Sequence, residues 1–357
     1  MDKSSTIIGI DLGDKYNQFC CLETDSGEVL EEGRVPCTPK AMAAFFGRWT
    51  HARVAMEAGT HSRWVSALAH KAGHEAIVAN PRKVRAIYAN ERKSDKVDAA
   101  MLARIARVDP HLLCPVYHRG PQAQADRAIL RARHAAVQLR TKLVNQIRGT
   151  VKSFGVRLPA CGARYFAGKV RAEIPDALRP ALDPLLDLLE QLNESIKGYE
   201  KQCQMLCKQR YPETAVLQSV PGVGPLTSLA FVLTLEDPSH FADSRTVGAF
   251  LGLTSKRDQS GSQDPQLRIS KCGDRLLRSL LVGCAQYILG PFGPDCHLRQ
   301  WGLAKAARGG RGAKSKAVVA VARKLAVLLH MLWSTGMMWE PFPSPCPPGK
   351  VRAEIAA

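Results

Sequence analysis

The alternation of short apolar runs with amphipathic stretches through the N-terminal third restricts what this chain can fold into more than any other feature. Residues 6–36, TIIGIDLGDKYNQFCCLETDSGEVLEEGRVP, read as three strands. An apolar run at 7–12 is followed by turn signals at Gly13-Asp14 and Ser26-Gly27, and then by an extended segment. PKAMAAFFGRWT is helical, RVAMEAG is a short buried strand, and HSRWVSALAHKAG is a helix closed by Gly73. EAIVANP is a further strand ended by Pro81, and RKVRAIYA leads into a helix carrying Asp95 and Asp98. The order βββαβαβα predicts an α/β layer fold with some parallel pairing.

Two long amphipathic helices are predicted next, over residues 121–154 and 176–210. The first places Ile129, Val137, Leu139, Leu143, Ile147 and Val151 along one stripe, and its polar face is basic. The second does the same with Leu185, Leu189, Leu192, Ile196, Tyr199 and Leu206. An intramolecular hairpin and a coiled coil between subunits both fit such stripes. A subunit interface through Leu185, Leu189 and Leu192 is the expectation, because little else in the chain needs so much apolar surface covered. From residue 214 onward short helices dominate. They are interrupted by the loop-rich SKRDQSGSQDPQLRISKCG and the basic KAARGGRGAKSK, and followed by a Pro-rich tail predicted to be disordered. The heptapeptide GKVRAEI occurs at 168–174 and again at 349–355, a repeat without a physical account.

The 357 residues suffice for two domains with a large core. Lys and Arg outnumber Asp and Glu by 50 to 32, a net charge of +18, which favours polyanionic partners, nucleic acid above a membrane surface. The eleven cysteines show no C-x-x-C and no zinc spacing, so reduced core thiols of a cytosolic protein are expected. The N-terminus runs straight into a strand without a signal-peptide pattern, and no apolar run is expected to reach the ~18 residues of a membrane span.

Against this basic background, four acids stand out. Asp11 lies late in the first strand and Glu57 ends the fourth, where a carboxylate is costly unless something compensates it. Asp95 and Asp98, three residues apart, leave one face of a helix. If the first and fourth strands are neighbours, all four converge at one sheet edge. Clustered carboxylates repel, and a divalent cation relieves this; hard oxygen ligands suit Mg2+ or Mn2+. Two such ions can activate a nucleophile and stabilise a leaving oxygen in phosphoryl transfer.

In these motifs the chain resembles the IS110-type, or DEDD, transposases. GIDLG, AMEAGT and KSDKVDAAMLA match in the N-terminal part, and SVPGVGPLTSLA, FLGLTSKRDQSG and ISKCGDRLLRSLL in the C-terminal part, so nearly the whole chain is covered. The resemblance implies an α/β RNase H-like (RuvC-like) catalytic domain over 1–115. Long coiled-coil oligomerisation helices would follow over 116–210, then a mainly α-helical transposase domain over 211–340 and a tail over 341–357. It carries Asp11, Glu57, Asp95 and Asp98 over as a metal-binding tetrad. Ser260, in the segment QSG, becomes a nucleophile that attacks a DNA phosphodiester and holds the strand covalently. Without the resemblance, DQSGS reads as a polar turn, with Ser262 as a rival position. Ser255 departs from the family pattern, where proline is common.

The resemblance further implies a recombinase of an insertion element. Its donor and target DNA would be chosen by a structured non-coding RNA, and it would act in the bacterial cytoplasm as a dimer or tetramer. A hydrolytic RuvC-like nuclease or junction resolvase is the alternative, needing the tetrad but no serine. The PGVG turn resembles a helix-hairpin-helix, in which Gly222 and Gly224 let backbone amides approach a phosphate. Arg275, Arg278, Lys305, Arg308, Arg311, Lys314 and Lys316 are further candidates for backbone phosphates.

Overall fold

The computed structural model describes residues 6–84, 94–261, 263–265 and 267–342. Ser262, part of the RKVRAIYA segment, the tail beyond 342 and the second GKVRAEI copy lie outside the described residues. The chain divides into two compact units, Met1–Arg119 and Gly120–Ala357.

The first unit follows the predicted order. Strands β1 (Thr6–Asp11), β2 (Tyr16–Glu23) and β3 (Val29–Pro36) precede helix α1 (Pro39–Phe46), strand β4 (Arg53–Glu57), helix α2 (Ser62–Lys71), strand β5 (Glu75–Ala79) and helix α3 (Asp95–Val108). The sheet order is β3-β2-β1-β4-β5. β1 pairs antiparallel with β2 but parallel with β4, and β4 pairs parallel with β5. The period-two alternation sorts residues between two cores. Ile8, Ile10, Val54 and Met56 face Phe45 and Phe46 of α1 and Val65 and Ala69 of α2. Ile7, Cys20, Ala55 and Ile77 face Ala99, Leu102, Ala103 and Ala106 of α3. Gly9 lets α3 lie directly on β1: a Cβ there would sit 2.1 Å from the Ala99 carbonyl oxygen and 2.5 Å from the Ala103 nitrogen.

In the second unit, α4 (Pro121–Lys152) and α6 (Arg179–Gln209) pack against each other, with the short α5 (Phe166–Val170) between them in sequence. Ile147, Val151, Phe166, Leu186 and Leu189 form one core at this pair. Arg133 bridges Glu200 at 2.5 Å and Arg140 bonds Asn193 at 2.9 Å along it. The helices therefore form an intramolecular hairpin, and Leu189 is covered within its own chain. Of the residues placed on the second stripe, Leu189 and Ile196 are buried while Leu185, Leu192, Tyr199 and Leu206 are half-buried, so the hairpin covers that stripe only in part. Leu139, placed on that stripe, is exposed, whereas Val144 takes a buried position. The first GKVRAEI copy belongs to this core through Val170 and Ile174, and its Arg171 bonds Asp187 at 2.8 Å.

The far end of the hairpin contributes Leu130, Cys203 and Cys207 to a larger core built on α7 (Thr214–Gln218), α8 (Pro225–Leu235), α9 (Ser244–Phe250), α10 (Arg275–Leu289), α11 (His297–Ala307) and α12 (Ala313–Thr335). The long helices, expected as a segment of their own, thus share one unit with the C-terminal helices. Contrary to the expectation from sequence, α12 is long and apolar enough to cross a membrane by length and composition. Its apolar residues have another use: Val321, Ala322, Leu325, Ala326 and Leu329 are fully buried in this core. Its buried His330 is tied to Ser244 at 2.8 Å and to the Pro238 carbonyl at 3.0 Å. Among the described residues the cysteines are free thiols, as expected. Burial pushes Cys20 and Cys203 up to about 11, so both stay protonated and unreactive.

Candidate active site

Parallel pairing aligns Ile10 with Met56, so Asp11 and Glu57, the next residues, end neighbouring strands side by side. Alternation also gives them a common face. Ile7, Gly9 and Ala55 face α3, and two residues further along each strand Asp11 and Glu57 face the same way.

The direction of α3 brings in the third acid. Its C-terminal end lies at the start of the strands: Arg53 at the head of β4 donates to the Ala106 carbonyl at 3.4 Å, and Arg107 donates to the Thr24 carbonyl at 2.9 Å. Its N-terminal turn therefore lies towards the strand ends that carry Asp11 and Glu57. Ser94 caps that turn by accepting from the Val97 amide at 3.4 Å. Asp98 is buried on the face of α3 that meets the sheet, and its Oδ1 has no hydrogen-bond partner among the described residues. Asp95 is exposed. Three residues of helix turn by about 300°, so the two acids of one turn need not share an environment. Among the described residues no three His, Cys, Asp or Glu side chains are gathered closely enough to hold an ion. Asp11, Glu57 and Asp98 share one edge and one face without forming a closed cage.

The same strand ends carry polar residues that the sequence reading did not single out. His61 pairs with Asp14 at 3.2 Å, linking the loops that follow β4 and β1. Ser62, buried at the start of α2, lies 2.9 Å from His118 Nε2. Burial first, and then the nearby charges of Arg63 and Arg119, lower the affinity of His118 for a proton, so it is neutral near pH 7. The polar cluster THSR, immediately after a buried strand, was the available signal.

Ser260 belongs to the second unit and is exposed at the tip of a hairpin-like loop. Its amide donates to the Gln263 carbonyl at 3.1 Å and its carbonyl accepts from the Gln263 amide at 3.0 Å. Lower down, Lys256 donates to the Arg268 carbonyl at 2.9 Å and Ser270 to the Thr254 carbonyl at 2.8 Å. The described residues of the polar segment therefore pair as the two sides of a loop. Gly252, at φ +70, forms its base, where a Cβ would sit 2.2 Å from the Cys272 carbonyl oxygen. Arg278 pins that base from α10, donating to the Leu251 carbonyl at 3.0 Å and the Cys272 carbonyl at 2.9 Å. Proposed from sequence as a phosphate ligand, Arg278 instead spends a guanidinium nitrogen on holding the serine loop.

Arg275, Arg308, Arg311 and Lys314 are exposed, and among the described residues none belongs to an ion pair. Gly222 and Gly224 occupy the turn between α7 and α8. Gly222 has φ +83, with its Cα packed against Tyr287 of α10, and Gly224 is the N-cap of α8. Asp274 caps α10 by accepting from the Leu277 amide at 2.8 Å and pairs with Arg127 of α4. Burial opposes its charge, but the Leu277 amide and Arg127 outweigh it and hold the carboxyl below its ordinary range.

A mixed sheet with acids at the ends of its central strands, followed by a mostly helical remainder, is consistent with a DEDD, RuvC-like domain joined to a helical partner domain. Comparison with known proteins agrees. A sequence model of DEDD transposases of the IS110 type matches residues 8–155, and one described as the transposase IS116/IS110/IS902 family matches residues 214–296. The transposase for insertion sequence element IS1328 of Yersinia enterocolitica is 31% identical over 291 residues, covering 79% of this chain and 83% of that protein. The transposase for insertion sequence element IS1111A of Coxiella burnetii is 30% identical over 299 residues, covering 80% of this chain and 79% of that protein. The chain belongs to the IS110 family of transposases.

Proposed function

We propose that this protein moves an insertion sequence by cutting and rejoining DNA strands, with Asp11, Glu57 and Asp98 as its carboxylate centre and Ser260 as its nucleophile. The observation that carries the reading is the placement of Asp11, Glu57 and Asp98 at one sheet edge, with Asp98 Oδ1 buried and unsatisfied among the described residues. A buried carboxylate oxygen without a donor is costly, and oxygen donors of this kind would suit a hard cation once they closed around it. Asp95, on the exposed side of the same turn, would complete the set only from outside the sheet edge. Mg2+ or Mn2+ bound there would polarise a phosphate oxygen and lower the pKa of an attacking hydroxyl.

Ser260 Oγ loses its proton and attacks the phosphorus, forming an Oγ–P bond. The P–O bond to the departing strand breaks, and that strand's oxygen takes up a proton. Attack by the incoming strand's hydroxyl reverses both steps, so one phosphodiester replaces another without ATP. Asp258 and Asp264 neighbour the serine in sequence, but their negative charge beside a phosphate makes them poor bases for it. Asp11, Glu57 and Asp98 would give the better activation, by holding a cation whose charge offsets their own, which requires the two units, or two subunits, to act on one phosphate.

The resemblance extends the proposal to a structured non-coding RNA that selects donor and target DNA, to a dimer or tetramer, and to action in the cytoplasm at the nucleoid. The charge of +18 supports polyanion binding in general.

Metal binding has a readout that does not depend on activity. At a hundred times its dissociation constant a ligand stabilises the folded state by about 2.7 kcal/mol. Mn2+ should therefore raise the melting temperature of the wild-type protein and leave that of Asp98→Asn unchanged. An equal rise in both would remove Asp98 from the centre.

A further inference from the structure

Beside the stem of the Ser260 loop lies a cleft of about 630 Å³, walled on its other side by α11 and α12. Arg268 and Lys271 enter it from the loop, Lys305 from α11, and Lys316 and Arg323 from α12. No acid among the described residues lines it, and its apolar lining includes Leu253, Val319 and Ala320. Among the described residues none of the five cations belongs to an ion pair. Cations that merely solvate a surface spread apart or alternate with acids. Here five from three separate elements converge on one concavity, where they repel one another unless an anion lies between them. Two are constrained, one in its backbone and one in its side-chain stem. Lys271 adopts φ +55, an unfavourable backbone conformation for a residue with a side chain. The stem of Arg323 lies over Gly248 of α9, where a Cβ would approach its Cγ to 3.0 Å.

We infer that this cleft seats the sugar-phosphate backbone of the DNA strand that reaches Ser260. The inference rests on the proposed role of Ser260 for the direction of the strand. The ligand chemistry comes from the cleft itself: phosphates meet the cations, and sugars lie over the apolar lining. Of these five, Arg268, Lys271 and Arg323 were not picked out by the sequence, because their convergence depends on packing between elements far apart in the chain.

The test is the salt dependence of binding by the full chain, in a Ser260→Ala background so that no reaction intervenes. The probes are a mixed-sequence single-stranded DNA, its duplex, and RNA of the same sequence. Each phosphate contact contributes about 0.7 to the log–log salt slope on a single strand and about 0.9 on duplex DNA. Arg268→Gln/Lys271→Gln/Lys316→Gln should lower the DNA slope by about 2. Lys40→Gln/Lys71→Gln/Lys201→Gln, which removes the same charge from other elements, should lower it by much less. Equal slope changes in the two triple variants would overturn the inference, and so would a change confined to RNA. Circular dichroism melting of both variants shows that the fold is retained, and Arg323→Gln alone, expected to change the slope by about 0.7, serves if the triple variant does not fold. Because the readout is binding, failure of the serine chemistry would leave the result of this test intact.

Discussion

At the residue scale, position relative to a surface decides what each charge does. Asp98 and Asp95 share a helical turn, yet one is buried against the sheet and the other meets solvent. Asp126 shows what a buried acid looks like when it is fully engaged. It accepts from Arg210 at 2.7 Å and from Tyr211 at 2.8 Å, tying the start of α4 to the end of α6. Burial alone would raise its pKa, but Arg210, Tyr211 and Gln122 together bring it below the ordinary value of 3.8. A depressed folded value means that the carboxylate contributes its full stability above 3.8 and loses it as pH falls through the lower folded value. Urea midpoints of the wild type should therefore drop on acidification below that point, with a shallower drop for Asp126→Asn. That variant should cost about 1–3 kcal/mol at neutral pH, since charged hydrogen bonds are lost while Arg210 retains access to water. Identical pH profiles for the two proteins would contradict the assignment. Asp11 and Glu57 were legible in the sequence, because an acid in an apolar strand is conspicuous. The difference between Asp95 and Asp98 was not, because it depends on how far α3 is rotated about its axis against the sheet.

At the element scale, the closeness of α3 to β1 positions the site. The contact depends on the absent side chain of Gly9, so Gly9→Ala must push the helix from the sheet or bend the strand. We expect a loss of about 3 kcal/mol, typical of strong overpacking, measured by chemical denaturation. A loss below about 0.5 kcal/mol, the range of surface substitutions, would show that α3 is free to move without penalty. The strand and helix order of this unit was readable from periodicity alone, since each element is short, apolar and bounded by turn residues. The loop bearing Ser260 was readable only as polar. Its ordered stem comes from backbone pairing between residues 254–256 and 268–270 and from Arg278 reaching across from α10, and neither leaves a periodic trace. The two long helices were correctly located, but amphipathic spacing cannot distinguish a partner in the same chain from one in another.

At the scale of the whole molecule, the helical hairpin and the C-terminal helices form one unit built on two cores, one at the hairpin and one among the C-terminal helices. Leu189 is fully buried inside the hairpin, so Leu189→Lys would place a charge among apolar side chains. It should destabilise this unit by about 3–5 kcal/mol, seen as a lowered melting temperature or loss of soluble protein. A variant that stays folded but shows a smaller mass by light scattering would restore the subunit interface to this surface. Strand exchange makes the most demanding claim on the whole molecule, because it assigns one reaction to residues of both units. The measurement that tests it most directly is a denaturing gel of end-labelled, nicked DNA after incubation with protein and Mg2+. The wild type should retain a label bound covalently to protein. Ser260→Ala should give none while binding the same DNA, and Asp98→Asn should likewise give none. An adduct that persists in Ser260→Ala, or cutting by the wild type with no adduct at all, would contradict the account and leave a hydrolytic nuclease in its place.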